Sequence, residues 1–383
     1  MSGGELLEVL HRTVRHFFRN LRQWLDALPD PRDVSRITYP LRSLLWVGTL
    51  MFVFHLSGRR RLSHDFNSEG ALPNLNALAE TDLRTLPHPD TLAYLLERLS
   101  PDGLDRLRTR MVRTLLRKRC LERFRLFERY YLVAIDATGY LSSRKPHCDR
   151  CLRETLSPGV TLYYHAALEA KLVCANGLVL SLGTEFLQNT EGQDKQDCEL
   201  KAFYRFLPRL RAAFPQLPIC LLLDGLYLNQ HVLSLANQHR CQWIITFKEG
   251  SLPDAYSEFQ ALRTLSPHQQ IETTDGIVRC RHSWVNNLVH AQHRFHALEC
   301  QETDADGKPT RFLWATSFLV TAANVKTLSQ GGRLRWKIEN EGFNTQKNGG
   351  YRLEHAYSNN WQAAQNFYLL TQLAHLMHQL MAK

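Results

Sequence analysis

No stretch of this chain is apolar for long enough to cross a bilayer. The most apolar run, Leu44 to Leu56, falls short of the ~20 residues a membrane helix needs and reads as a buried helix. The N-terminus, Met1-Ser2-Gly3-Gly4-Glu5, lacks a basic region followed by an apolar one, so no secretory signal is expected. The 9 cysteines are odd in number and scattered, which argues for free thiols in a reducing cytoplasm. No Gly-x-x-x-x-Gly-Lys-Ser/Thr loop is present, so nucleotide hydrolysis is not expected, and the histidines contain no His-Glu-x-x-His pair. Internal repeats and low-complexity tracts are absent as well. Acidic residues are outnumbered, 37 against 47 basic ones, and the resulting +10 charge favours a polyanionic partner. At 383 residues and 44% hydrophobic, the chain can build a full core and two or three domains.

Residues 1–125 read as a helical domain. Leu6, Leu7, Leu10, Val14 and Phe17 recur at helical spacing, and Leu28 to Asp33 breaks the pattern with two prolines. A helix is expected over Leu41 to Ser57. Another follows Pro87-His88-Pro89, with Asp90 or Thr91 as its N-cap. Between Leu104 and Arg129 lies the densest positive charge, including Arg106, Arg108, Arg110, Arg113, Arg117, Lys118 and Arg119, around an apolar stripe of Leu104, Leu107, Met111 and Leu115. This is either a solvated helix face or a face that tracks DNA phosphates, with Arg113, Arg117 and Arg119 as the expected contacts.

The pattern changes at Tyr130. Tyr131 to Asp136, Tyr163 to Val173, Leu178 to Phe186, Pro218 to Leu223 and Trp243 to Phe247 all read as strands. Ala175-Asn176-Gly177 is a hairpin turn, because Asn and Gly both accept positive φ. Helical stretches at Asp194 to Arg211 and Asn229 to His239 lie between them, which gives a mixed α/β sheet with flanking helices over residues 126–249. Residues 250–322 read as a β-rich insertion, and residues 323–383 as the C-terminal helices of the core.

Two of the apolar strands end in a lone carboxylate, Ile135-Asp136 and Leu223-Asp224, and Arg335-Trp336-Lys337-Ile338-Glu339 carries a third on a predicted helix. A strand that delivers an ionised carboxylate to its end must offset desolvation, and a divalent cation does so. Three converging carboxylates can hold two hard cations about 3.5–4 Å apart, the equipment for phosphodiester chemistry. Parallel strands would place Asp136 and Asp224 side by side at their C-terminal ends, where open α/β sheets bind ligands.

On these residues, together with Ile135-Asp136-Ala137-Thr138, Leu223-Asp224-Gly225-Leu226-Tyr227, Phe247-Lys248 and Lys347-Asn348-Gly349-Gly350-Tyr351-Arg352, the chain resembles the DDE transposases of bacterial insertion sequences. The likeness is to the subgroup with a Tyr-Arg-Glu-Lys signature, over residues 25 to 375. The resemblance implies an RNase H-like core and a β insertion before the glutamate helix. It implies Asp136, Asp224 and Glu339 as catalytic ligands of two Mg²⁺, with Mn²⁺ as a substitute. It further implies Arg335, Trp336, Lys347 and Lys248 as DNA contacts, terminal inverted repeats and target DNA as partners, and a homodimer in the synaptic complex. The expected location is the bacterial cytoplasm, at the nucleoid when DNA is bound. A structure-selective nuclease and an inactive DNA-binding regulator are the rival readings.

The chain departs from the signature twice. Gly332 stands where the tyrosine is expected, and seven residues rather than six separate Glu339 from Lys347, so Glu341 stays open as the third carboxylate. Apart from these, His147-Cys148-Asp149-Arg150-Cys151 has zinc-ligand spacing but supplies only half a site, to be completed by Cys120, His165 or Cys174. The alternative is a surface loop with free thiols, and His165 by itself reads as a core residue. Asp194, Asp197 and Glu199 are expected on a solvated helix face, with a metal role as the alternative.

Overall fold

The computed structural model describes residues 3–56, 58–65, 70–146, 148–157, 159–189 and 196–382. Seven helices come first: α1 (Gly3–Phe17), α2 (Leu21–Asp26), α3 (Leu41–Val53), α4 (Arg59–Asp65), α5 (Ala71–Ala79), α6 (Pro89–Leu96) and α7 (Pro101–Arg117). Leu44 to Val53 is buried on every side, as an all-round apolar helix must be, among α5, α6 and the C-terminal helix α13 (Trp361–Met381). α3 ends sooner than expected. His55 turns left-handed at φ 53° and Leu56 N–H bonds back to Met51 O at 2.9 Å. α6 is capped by His88, not by Asp90 or Thr91. Pro89 occupies the first helical position with its φ preset, and the His88 ring accepts the Asp90 N–H at 3.2 Å. No helix among the described residues is long and apolar enough to cross a membrane.

Ten strands form one sheet: β1 (Tyr131–Ser143), β2 (Leu152–Ser157), β3 (Val160–Val173), β4 (Val179–Leu187), β5 (Ile219–Leu223), β6 (Gln242–Thr246), β7 (Gln270–Asp275), β8 (Val278–His290), β9 (His293–Thr303) and β10 (Pro309–Thr316). The order is β2-β3-β1-β5-β6-β10-β9-β8-β7, with β4 also on β3. β1, β5 and β6 run parallel, and β3 is antiparallel to β1 and β4. The run β4-β3-β1-β5-β6 is the RNase H-like arrangement. Its β3–β4 hairpin turns at Asn176-Gly177, where Gly177 takes φ 88°. β7 to β10 are not a separate body. β10 pairs antiparallel with β6, Trp314 opposite Thr246, so the β-rich segment prolongs the same sheet. It also contains a helix, α10 (Pro253–Leu265).

Three further helices flank the sheet. α8 (Glu199–Ala213) and α9 (Gln230–Gln238) connect the core strands, and α11 (Val325–Arg333) leads from β10 toward Glu339. The predicted helix over Arg333 to Lys347 is not regular. Leu334–Trp336 is a 3-10 turn, Ile338–Asn344 is a π-helical segment, and Thr345–Asn348 (α12) returns to α. Buried polar contacts hold this segment to the sheet. Lys171 Nζ on β3 donates to Gln346 at 3.2 Å and to Gln372 of α13 at 3.3 Å.

Candidate functional site

The sheet register aligns the two aspartates. Ala134 of β1 and Leu222 of β5 are the last pair of the parallel ladder, and Asp136 and Asp224 each follow two residues later. Each uses one oxygen locally. Asp136 Oδ1 accepts the Ala137 N–H at 3.0 Å, and Asp224 Oδ1 accepts the Leu226 N–H at 2.9 Å as the cap of a 3-10 turn.

Glu339 is brought in by Arg335. One guanidinium nitrogen, Nη1, lies 3.0 Å from Glu339 Oε1 and 3.4 Å from Asp136 Oδ2, so these carboxylates face each other across a single cation. Glu341 points elsewhere and is paired with Lys337 at 2.6 Å. The π segment, whose i→i+5 pattern inserts an extra residue per turn, lies between Glu339 and Lys347 and accompanies the seven-residue spacing. Lys347 itself is paired with Glu354 at 2.8 Å.

A fourth carboxylate, Glu199, joins this group, contrary to the solvated face expected for it. It begins α8, is half-buried, and accepts the Tyr227 hydroxyl at 2.6 Å. Burial raises its pKa, and the Asp224 charge adds to the rise. Asp136 is pushed up to about 7 by burial first, then by Glu199, with Arg335 opposing and Glu339 adding to the rise. The sequence does hold a signal for Glu199. It lies three, four, seven and eight residues before Ala202, Phe203, Phe206 and Leu207, so it sits on the apolar face of its helix. Asp197 is also not solvated. It is buried and bonded by Arg205 at 2.6 and 3.0 Å. Asp194 lies outside the described residues.

The remaining expected contacts divide. Trp336 is half-exposed beside the site, with the Arg335 guanidinium 4.7 Å from its ring. Lys248 is exposed, and its side chain packs along Gly225, next to Asp224. Arg113 is occupied: its Nε donates to Ala213 O at 2.8 Å, at the end of α8. Arg117 bonds Thr114 at 3.2 Å and Arg119 lies 3.8 Å from Glu122, both on the surface. Arg106, Arg110, Arg113 and Arg117 line a cleft of about 1190 Å³ that also touches Tyr131 and Pro218. Those two residues mark the N-terminal ends of β1 and β5, so this basic cleft lies at the opposite end of the strands from the carboxylates. Arg108 does not face solvent at all. It is buried against Ser181, Thr184 and Asp105, with Glu169 4.0 Å away.

Gly332, in the signature's tyrosine position, has a steric reason. A Cβ there would lie 2.7 Å from the Trp314 indole, so no larger residue fits while α11 packs on β10.

Of the thiols, Cys148 and Cys151 meet His165, whereas Cys120 and Cys174 do not join them. His147 lies outside the described residues. A second trio, Cys280, His282 and Cys300, gathers between β8 and β9 and was not foreseen. There Cys300 is pushed up to about 12 by burial, with Ser329 bonded to it, and the nearby Glu302 is engaged by Arg333.

No family model matches the chain, and no curated protein matches it. Among solved structures, the chain is similar to the piggyBac transposase in its synaptic complex with hairpin DNA, at a TM-score of 0.40 and 9% identity, over 98% of this chain and 79% of that one.

Proposed function

We propose that this chain is a DNA transposase that cleaves insertion-sequence ends and joins them to target DNA, with Asp136, Asp224 and Glu339 as its catalytic carboxylates. The observation that carries the reading is electrostatic. Asp136 and Glu339 flank the Arg335 guanidinium, the Glu199 charge helps raise Asp136 to about 7, and the Asp224 charge in turn acts on Glu199. A purely structural carboxylate is usually pulled down by its partners, whereas Asp136 and Glu199 are pushed up, as in a site built for added positive charge.

The donor set is all oxygen and suits Mg²⁺ or Mn²⁺. Two such ions, when bound, supply an activated water or 3′-hydroxyl and stabilise the leaving oxygen. The protein's own groups do the positioning. Arg335 holds Glu339 toward Asp136, the Tyr227 hydroxyl orients Glu199, and Lys248 and Trp336 lie at the rim as contacts for a phosphate and an unpaired base. The arginine cleft would grip flanking duplex, in a homodimer whose subunits are joined by DNA. Such a protein works in the cytoplasm, at the nucleoid.

The test is incubation of the protein, Mg²⁺ and a duplex carrying the end of its own element with a target plasmid. The reading expects joined products that chelation abolishes. Cleavage without joining would favour a structure-selective nuclease, and binding alone a regulator.

Glu199→Gln supplies a separate prediction. It removes the charge that, after burial, most raises Asp136, so the Asp136 titration followed by carboxyl NMR should move to lower pH. Cleavage should fall about 10–100-fold, the usual effect of losing a group that supports metal ligands. An unmoved titration would place Glu199 outside the site.

A further inference from the structure

We propose that Cys148, Cys151 and His165 hold a zinc ion that straps the β1–β2 connection onto β3. This inference does not depend on the catalytic reading. Cys148 Sγ lies 3.7 Å from Cys151 Sγ and 3.3 Å from His165 Nε2. Zinc takes sulfur at about 2.3 Å and nitrogen at about 2.0–2.1 Å, so tetrahedral ligands sit about 3.6–3.8 Å apart. The two separations are therefore close to those of a bound ion. Two thiols and an imidazole select zinc over Mg²⁺ or Ca²⁺, and three donors fall short of the four cysteines of an iron–sulfur cluster.

A redox dithiol is the competing use of Cys-x-x-Cys, and the surroundings oppose it. A reactive pair sits at a helix N-terminus that lowers the thiol pKa. Here a strand, β2, follows at Leu152, so the pair sits at no helix N-terminus. Cys151 and His165 are buried and Cys148 is half-buried, so a fourth ligand would approach from the Cys148 side. The second trio makes a weaker case, because Cys300 is already bonded by Ser329.

The topology gives the metal a task. β1 lies on one side of β3 and β2 on the other, so the chain between them must cross β3. His165 is on β3, its ring stacked 5.8 Å from Tyr140 and tilted against Trp361 at the start of α13, 4.6 Å away. A zinc ion there anchors the crossing segment to that aromatic group. The segment and the start of β2 carry Arg144, Lys145, Arg150 and Arg153, all exposed. The strap thereby orders a cationic arm.

The test uses the full chain purified from zinc-supplemented medium without chelator, with zinc counted by mass spectrometry and its neighbours read by X-ray absorption. One equivalent per chain is expected at this site, with two sulfurs at about 2.3 Å and nitrogen at about 2.0 Å. Cys148→Ser should lose one equivalent and Cys300→Ser none. Cys148→His should keep the ion with one sulfur fewer, which answers the objection that the serine variant merely misfolds. Hydrogen exchange over residues 148–153 should rise on chelation in the wild type. A zinc-free wild type, an unchanged zinc count in Cys148→Ser, or a metal-free Cys148–Cys151 disulfide that cycles with reductant would overturn the proposal.

Discussion

Replacing Asp136 or Asp224 with asparagine is expected to abolish DNA cleavage while leaving DNA binding nearly intact. The amide keeps the shape of the side chain and loses the anionic oxygen a cation needs. Metal stabilisation of a phosphoryl transition state is worth several kcal/mol, so the loss should reach at least about a thousandfold. Stability should move the other way for Asp136. Its folded pKa is raised to about 7, so the folded protein binds more protons than the unfolded chain between about pH 4 and 7. Metal-free stability therefore falls as pH rises through that window, and the full penalty stays above it. Asp136→Asn removes the penalty, and Arg335 retains Glu339 as a partner. The metal-free variant should melt higher than wild type by roughly a few degrees at pH 8, and by less at pH 4. Calorimetry at the two pH values checks the sign. A variant that cleaves normally, or one that is inactive because it has melted, would remove Asp136 from the active site.

Glu339→Gln and Glu341→Gln should separate by a similarly large factor. Glu339 faces Asp136 across Arg335, so its amide variant should lose cleavage by at least about a thousandfold. Glu341 is paired with Lys337 one turn away, so its variant should lose that partly buried pair and stay within about threefold of wild type in cleavage. Single-turnover cleavage by the two variants, at matched DNA occupancy, decides between them. An inactive Glu341 variant beside an active Glu339 variant would reverse the assignment.

Much of the core was legible because its strands are buried on both faces. The runs ending at Asp136 and Asp224 are continuously apolar, and Asn176-Gly177 announces its own turn. β2 and β7 were invisible for the opposite reason. Leu-Arg-Glu-Thr-Leu-Ser and Gln-Ile-Glu-Thr-Thr-Asp are polar strands, and all of β2 after Leu152 is exposed. The π segment could not be read because its backbone angles and apolar positions differ little from those of an α-helix. Two misreadings share one cause. Arg108 and Glu199 belong by charge to the polar surface of their helices, yet each occupies a position on the apolar stripe: Arg108 between Leu104 and Met111, Glu199 ahead of Ala202 and Phe203. A charge at such a position is carried inward by its neighbours and has to find a partner there. Arg108 meets Asp105 and the Glu169 group, and Glu199 meets Tyr227 and the catalytic candidates.

The central claim is that the carboxylates around Arg335 form a cation site. Crystals soaked in Mn²⁺ and measured at the manganese absorption edge test it most directly. The account predicts an anomalous peak between Asp136 and Asp224 within reach of Glu339, joined by a second about 3.5–4 Å away when a DNA end is bound. A soaked crystal with no peak at these residues, or with its only manganese bound elsewhere, would contradict it.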